Sequence, residues 1–229
     1  FISVSHIGTA EAPPDLKMAT WLCGIFSNGL STARHNGGKT SYVVGNFRPI
    51  DDESVFRNPH VKGTVPSGLN GCYLRNGVNQ KYTPSGKMHM FDGDSMIHAF
   101  IFKDGHCTSY ANSYLRTPRH KANDEKRRDL WSTFGDLTVK PGLEAAKKLG
   151  WIQLQQRAGM LPDIPITRAQ NPSTATQLIG GALYACMEVN SPFRVYVNPE
   201  TAEVTSGEHN DFDKKIPVFS AHSKVDSSG

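Results

Sequence analysis

The sequence predicts an all-β fold interrupted by one helical insertion. Three observations carry this: short apolar runs recur in pairs, each pair is joined by a tight turn rich in Gly, Asp or Asn, and one central segment changes to a helical period. Repeated hairpins with short turns are the pattern of sandwiches, barrels and propellers. Composition agrees with a globular chain, since 38% of the 229 residues are hydrophobic and 20% are charged. No apolar run reaches the roughly 18 residues that a membrane-spanning helix needs.

Residues 1–40 read as an N-terminal extension, weakly patterned and broken by Pro13-Pro14 and Asn36-Gly37-Gly38. Within it Leu16, Ala19, Trp21, Leu22, Ile25, Phe26 and Leu30 take the spacing of a mostly apolar helix. That helix packs against the domain or, with Lys17 beside its aliphatic and aromatic residues, makes a peripheral membrane contact through Leu16 to Leu30.

Strand signals begin near residue 60. Residues 72–74 form an apolar run between Gly71 and Asn76-Gly77. Residues 96–102 and 107–115 make a hairpin around Lys103-Asp104-Gly105. A second hairpin joins residues 175–179 to 182–189 through Gly180-Gly181, and a third leaves residues 193–197, turns at Asn198-Pro199-Glu200 and resumes at residues 203–205. Between them, about residues 121–170, lies the insertion. There Leu143, Ala146, Lys147, Gly150, Trp151 and Leu154 approximate a 3.6-residue period, which predicts a helix over residues 143–156 ended by Gly159 and Pro162. An insertion this long is expected to cover one face of the sheet structure and shape a cavity.

The net charge of +4 is scattered, and its densest patch, Glu125-Lys126-Arg127-Arg128-Asp129, is diluted by its own acids. Nucleic acid is therefore not an expected partner. Cys23, Cys72, Cys107 and Cys186 lie far apart with no CxxC pair, which argues against zinc and for reduced thiols in an intracellular protein. The chain opens on Phe1 rather than Met and closes at Gly229 within a motif, so it is expected to be a piece of a longer protein whose missing start would hide any leader peptide. There is no GxSxG, no P-loop and no GxGxxG.

Two places hold residues fit for chemistry. The densest runs His89-Met90-Phe91-Asp92-Gly93-Asp94-Ser95-Met96-Ile97-His98. Two histidines with a carboxylate would suit Fe(II), but Asp-Gly-Asp is also a tight turn, and spacing favours the turn. The other is His222, after the strand-like residues 218–221 and before Lys224 and Asp226. Taken alone it reads as a hydrogen-bonded histidine, because its nearest candidate partner, His209, lies across Asp211-Phe212-Asp213 in a stretch that reads as an exposed polar loop.

Six stretches taken together resemble the carotenoid cleavage oxygenases, and they occur in that family's order: VGNFRPI from Val44, GLNGCYLRNG from Gly68, FDGDSMIHA from Phe91, YLRT from Tyr114, LYACME from Leu183 and FSAHSKVD from Phe219. The resemblance covers roughly residues 42–229 and implies a seven-bladed β-propeller with a helical dome over a hydrophobic tunnel, of which only the N-terminal portion is present, with the dome insertion at about residues 121–170. It implies one Fe(2+) held on the propeller axis by four histidines. The AHxKxD motif carries the first of these, which falls on His222, and the other three belong to motifs further downstream. Glu188 matches a glutamate that hydrogen-bonds an iron-ligating imidazole, fixing its tautomer and orientation.

The implied activity is oxidative cleavage by O2 of one C=C bond of a carotenoid or apocarotenoid to carbonyl products, in plastid or cytoplasm. A catalytically inactive fragment or family member that binds an apolar ligand or partner is the alternative, and an isomerohydrolase acting on a retinyl ester ranks below both. The match is imperfect: Val78 and Gln80 stand where the family has prolines, Ser95 replaces a glycine, Ser113 an arginine and Ser223 the proline after the ligand histidine.

Overall fold

The structure is a computed structural model that describes residues 48–84, 88–131, 142–165, 169–216 and 218–224. The expected N-terminal extension, with its Leu16 to Leu30 helix, lies outside the described residues. Among the described residues eight strands and two helices follow in the order β1 (Ser54–Arg57), β2 (Gly71–Val78), β3 (Ser95–Lys103), β4 (His106–Tyr114), α1 (Pro118–Lys126), α2 (Leu143–Arg157), β5 (Ala175–Ile179), β6 (Ala182–Cys186), β7 (Phe193–Val197) and β8 (Val204–His209). They form two four-stranded antiparallel sheets, β1-β4-β3-β2 and β5-β6-β7-β8. Small four-stranded antiparallel sheets are the unit of propeller blades.

Each hairpin expected from turn chemistry is present. Lys103 pairs with His106 across Asp104-Gly105, and Ile179 pairs with Ala182 across Gly180-Gly181. All four turn residues have positive φ, which matches the right-handed strand twist and explains why Gly fills three of the positions. The β7–β8 loop is longer and is closed by the Asn198 side chain, whose Oδ1 accepts from the Glu200 and Thr201 amides at 2.9 and 3.1 Å.

The core lies between the two sheets. Ile97, Ala99 and Ile101 alternate along one face of β3; Ile97 packs with Leu115 and with Ala185, Phe193 and Val195 of the second sheet, while Ala99 and Ile101 pack with Ala111 and Ala202, and Leu74, Val197 and Val204 lie at the margin of both groups. Burying a side chain such as Ile97 or Phe193 contributes about 1.5–3 kcal/mol. The opposite face of the first sheet carries a row of aromatics in register, Phe56, Tyr110, Phe100 and Tyr73, one from each strand. Phe56 and Tyr73 at its ends are exposed.

The insertion differs from expectation in two respects. It begins earlier, because Thr117 caps α1 by accepting the His120 amide at 3.1 Å, with Pro118 in the first turn. Its second helix is present, but the residues that suggested it, Leu143, Trp151 and Leu154, are exposed, whereas Ile152 turns inward against Trp131, Leu161, Ile164 and Ala122. Their spacing marked a helix correctly and marked its inner face wrongly. Among the described residues no helix is long and apolar enough to cross a membrane.

Strand boundaries also shift. β1 was not foreseen: its four residues pair only with β4 and are too few and too exposed to show a period. β6 ends at Cys186, short of Val189. Residues expected to form a strand before His222 contribute only a bridge from Phe219 to Asn190.

Candidate functional site

The first cluster, His89 to His98, is consumed by structure. Asp92 Oδ2 accepts the His89 amide at 2.7 Å, and the Asp92 amide returns to the His89 carbonyl at 2.9 Å. Gly93 follows at φ +127°, packed so closely that a β-carbon there would lie 2.5 Å from Val78 Cγ1. Asp94 is buried and accepts the Lys81 amide at 3.1 Å, while the Asn171 side-chain amide reaches the Gly93 carbonyl at 2.8 Å. His120 Nδ1 stands 3.4 Å from Asp94 Oδ1, and its Nε2 faces Arg116 Nη1 at 3.1 Å. Burial alone would push the Asp94 carboxyl up, but His120, Arg119 and the Lys81 amide outweigh it and hold it below the usual carboxylate value.

At the far end of the cluster His98 Nδ1 lies 2.9 Å from the Tyr110 hydroxyl. Burial, aided by the Arg75 charge, lowers the His98 pKa and favours the neutral ring. Among the described residues no group of three or more His, Cys, Asp or Glu could hold a metal ion. The Asp92–His89 hydrogen bonds and the positive φ of Gly93 are those of a tight turn.

Other stretches that carried the resemblance meet nearby. Asn79 Oδ1 accepts the Ile50 amide at 2.9 Å, its Nδ2 donates to the Ile50 carbonyl and the Tyr114 hydroxyl at 2.7 Å each, and Tyr114 donates to the same carbonyl at 2.9 Å. Asn76 ties the first sheet to the approach to β5 through the Pro172 and Ala175 carbonyls, at 2.7 and 3.0 Å. A cavity of about 550 Å³ opens at this end, lined in part by Arg75, His98, Met88, Met90 and Phe91.

His222 and Glu188 come together at the edge of the second sheet. Ala175, Gln177 and Ile179 of β5 pair with Cys186, Tyr184 and Ala182 of β6, so all six share one face. Glu188 follows in the turn two residues past the end of β6. The chain returns over this face at residues 219–222: the Phe219 amide donates to the Asn190 carbonyl at 3.1 Å, and the Ala221 methyl is buried against Tyr184 and Cys186. His222 then places Nε2 3.3 Å from Glu188 Oε1, an oxygen that is buried and makes no hydrogen bond. The His222 side chain is 74% exposed, so one edge of the ring faces the carboxylate while the rest is open.

His209, read from sequence as lying in an exposed loop, is instead the last residue of β8. It is half-buried, edge-on to Phe193 at 5.0 Å, with Nδ1 3.1 Å from the Ser191 carbonyl, and does not join His222. Beside Glu188, burial and the Glu188 charge push the Cys186 thiol up to about 12, so it is an inert packing group rather than a nucleophile.

As a test of fit to iron, the described residues supply one imidazole and, against it, a carboxylate oxygen lacking a hydrogen bond. That suits a single ligand with its orienting partner, and it falls short of a coordination shell.

Comparison with known proteins follows the same lines. The family model described as "RPE65: Retinal pigment epithelial membrane protein" matches residues 47–229. The carotenoid 9,10(9',10')-cleavage dioxygenase of Crocus sativus is 35% identical over 188 residues, covering 81% of this chain and 33% of that protein. The carotenoid 9,10(9',10')-cleavage dioxygenase 1 of Phaseolus vulgaris is 32% identical over 192 residues, with the same shares. The lignostilbene dioxygenase of Pseudomonas brassicacearum shares the fold with a TM-score of 0.59 at 22% identity, over 82% of this chain and 35% of that one. The chain belongs to the RPE65/carotenoid cleavage oxygenase family. It spans about a third of the length of the relatives it matches.

Proposed function

We propose that the chain is the N-terminal part of a non-haem Fe(II)-dependent dioxygenase that cleaves one C=C bond of a carotenoid or apocarotenoid. The two atoms of O2 go one to each carbon, giving two carbonyl products. The observation that carries this is the match, at 32–35% identity, to proteins named carotenoid cleavage dioxygenases. The approach of His222 to Glu188 at 3.3 Å supports it.

In this reading the two sheets are the first blades of a seven-bladed propeller, the helices of the insertion contribute to a dome, and the aromatic row on the first sheet is a face for a neighbouring blade. His222 is one iron ligand, and further histidines are expected beyond residue 229. Iron(II), when bound, supplies the binding and activation of O2. Glu188 Oε1 lies 3.3 Å from His222 Nε2, which puts a carboxylate within reach of the imidazole that it would orient. The substrate is apolar, so membrane-surface access through Leu16 to Leu30 belongs to the same proposal. Plastid residence has support in the relatives named as chloroplastic.

The alternative reading is that the 229-residue chain alone binds an apolar ligand or partner without turnover. Protein extended to the relatives' length decides the first. His222→Ala should lose both iron, by metal analysis, and polyene cleavage, by product chromatography; an iron-loaded, active variant overturns the ligand role. For the 229-residue chain, stoichiometric iron after purification would overturn the second reading, because one imidazole cannot supply a shell.

A further inference from the structure

We infer that Gln177 is the positioning residue that sets where the His222 imidazole stands, an inference resting on the iron-ligand reading of His222. Among the described residues the His222 ring meets only the Glu188 carboxylate. Its place is set through the backbone. The Ala221 carbonyl and the His222 amide belong to one planar peptide group. Gln177 Nε2 donates to that carbonyl at 3.2 Å, and the His222 N–H donates to Ser220 Oγ at 3.1 Å, so both ends of the plane are held by side chains.

Gln177 is placed for this by register. It lies opposite Tyr184 on the face where the Ala221 methyl is buried, and on an edge strand, so its side chain is free to reach the returning segment. With the peptide fixed, the His222 ring retains only its two side-chain rotations, and one setting brings Nε2 to Glu188. Ser223 gives this hold more to do. A proline after His222, which the family resemblance leads one to expect, would restrict the His222 backbone, and serine does not.

The test uses protein extended to the relatives' length and loaded with Fe(II) or Co(II). Gln177→Glu is isosteric, but it replaces a donor with a carboxylate that repels the Ala221 carbonyl. Expected results are a metal affinity about 10-fold lower in chelator competition, a changed Co(II) visible spectrum and a thermal midpoint close to wild type. Gln177→Lys restores a donor and should recover both metal readouts. If Gln177→Glu lowers the midpoint, Gln177→Asn, which withdraws the amide by one methylene, takes its place. Wild-type affinity and spectrum in Gln177→Glu or Gln177→Asn, while His222→Ala loses the metal, overturns this inference alone. Retention of the metal by His222→Ala overturns the ligand reading beneath it.

Discussion

Gly93→Ala tests whether the Asp-Gly-Asp cluster is a structural turn. Two costs arise together. At φ +127° an L side chain is strained, at about 1–3 kcal/mol. The new methyl would also meet Val78 Cγ1 at 2.5 Å, Gln80 Oε1 at 2.9 Å and Met88 Cε at 3.3 Å. Gln80 and Met88 present the ends of flexible side chains and can swing away. Val78 is β-branched and held at the end of β2, so it must shift with its strand. Overpacking of this kind costs about 1–3 kcal/mol, so the total is about 2–6 kcal/mol. With a urea m-value of about 2 kcal/mol per molar, the unfolding midpoint should fall by about 1–3 M. Val78→Ala in the same background removes the clash and leaves the strain, so the double variant should cost about 1–2 kcal/mol less than the sum of the two single variants. A midpoint within about 0.3 M of wild type for Gly93→Ala, or strict additivity with Val78→Ala, refutes the close-packed turn.

Three further outcomes follow from buried or perturbed groups. Asp124 accepts from Lys81 Nζ and the Tyr82 hydroxyl at 2.6 Å each, chiefly through which its pKa falls from 3.8 to about 2; stability from this carboxylate is present above pH 3.8 and lost as pH falls toward 2, and because the pair is partly exposed Asp124→Asn should cost at most about 1 kcal/mol at neutral pH and flatten that part of the acid-unfolding curve. Asp129→Asn leaves the Arg119 guanidinium buried without its carboxylate 3.1 Å away and should cost about 3–5 kcal/mol by chemical denaturation, a loss below about 1 kcal/mol showing the pair to be solvated. Iodoacetamide at mildly alkaline pH should label exposed Cys72 before buried Cys107 and Cys186 in the folded chain, and early labelling of Cys186 by mass spectrometry contradicts its burial and raised pKa.

The hairpins were legible because their signals are local. Asp104-Gly105 and Gly180-Gly181 occupy left-handed positions that other residues avoid, and the strands beside them alternate. β1 was not legible, since it forms by pairing with β4 some fifty residues away. The start of α1 could have been read from Thr117-Pro118, a capping residue followed by a proline suited to the first turn. The inner face of α2 could not, because Trp131, Leu161 and Ile164 decide that Ile152 and not Trp151 is buried. At the candidate site, composition left His222 isolated. The β5–β6 hairpin just before Glu188 was legible, but the return of residues 219–222 over its face rests on the Phe219–Asn190 bridge, which no local pattern announces.

The residues that carry the family resemblance divide by their physical situation. Ile50, Asn79 and Tyr114 bond to one another and Asp94 meets His120 of α1, with Asp94 and Tyr114 buried, so changes there act on stability. His222 makes one side-chain approach and is largely open to solvent, so changes there remove little that the fold depends on. The sequence departs from the family prolines at Val78 and Gln80, and both side chains pack against Gly93, where they fill the space beside the turn. Those departures therefore bear on the frame, and that frame still brings Glu188 and His222 together at 3.3 Å. Variants of the first set should unfold the chain without singling out a cation, and variants of Glu188, His222 and Gln177 should alter metal binding in a folded protein. Stability and metal affinity are thus separable in this chain, and measuring both on each variant assigns it to the frame or to the site.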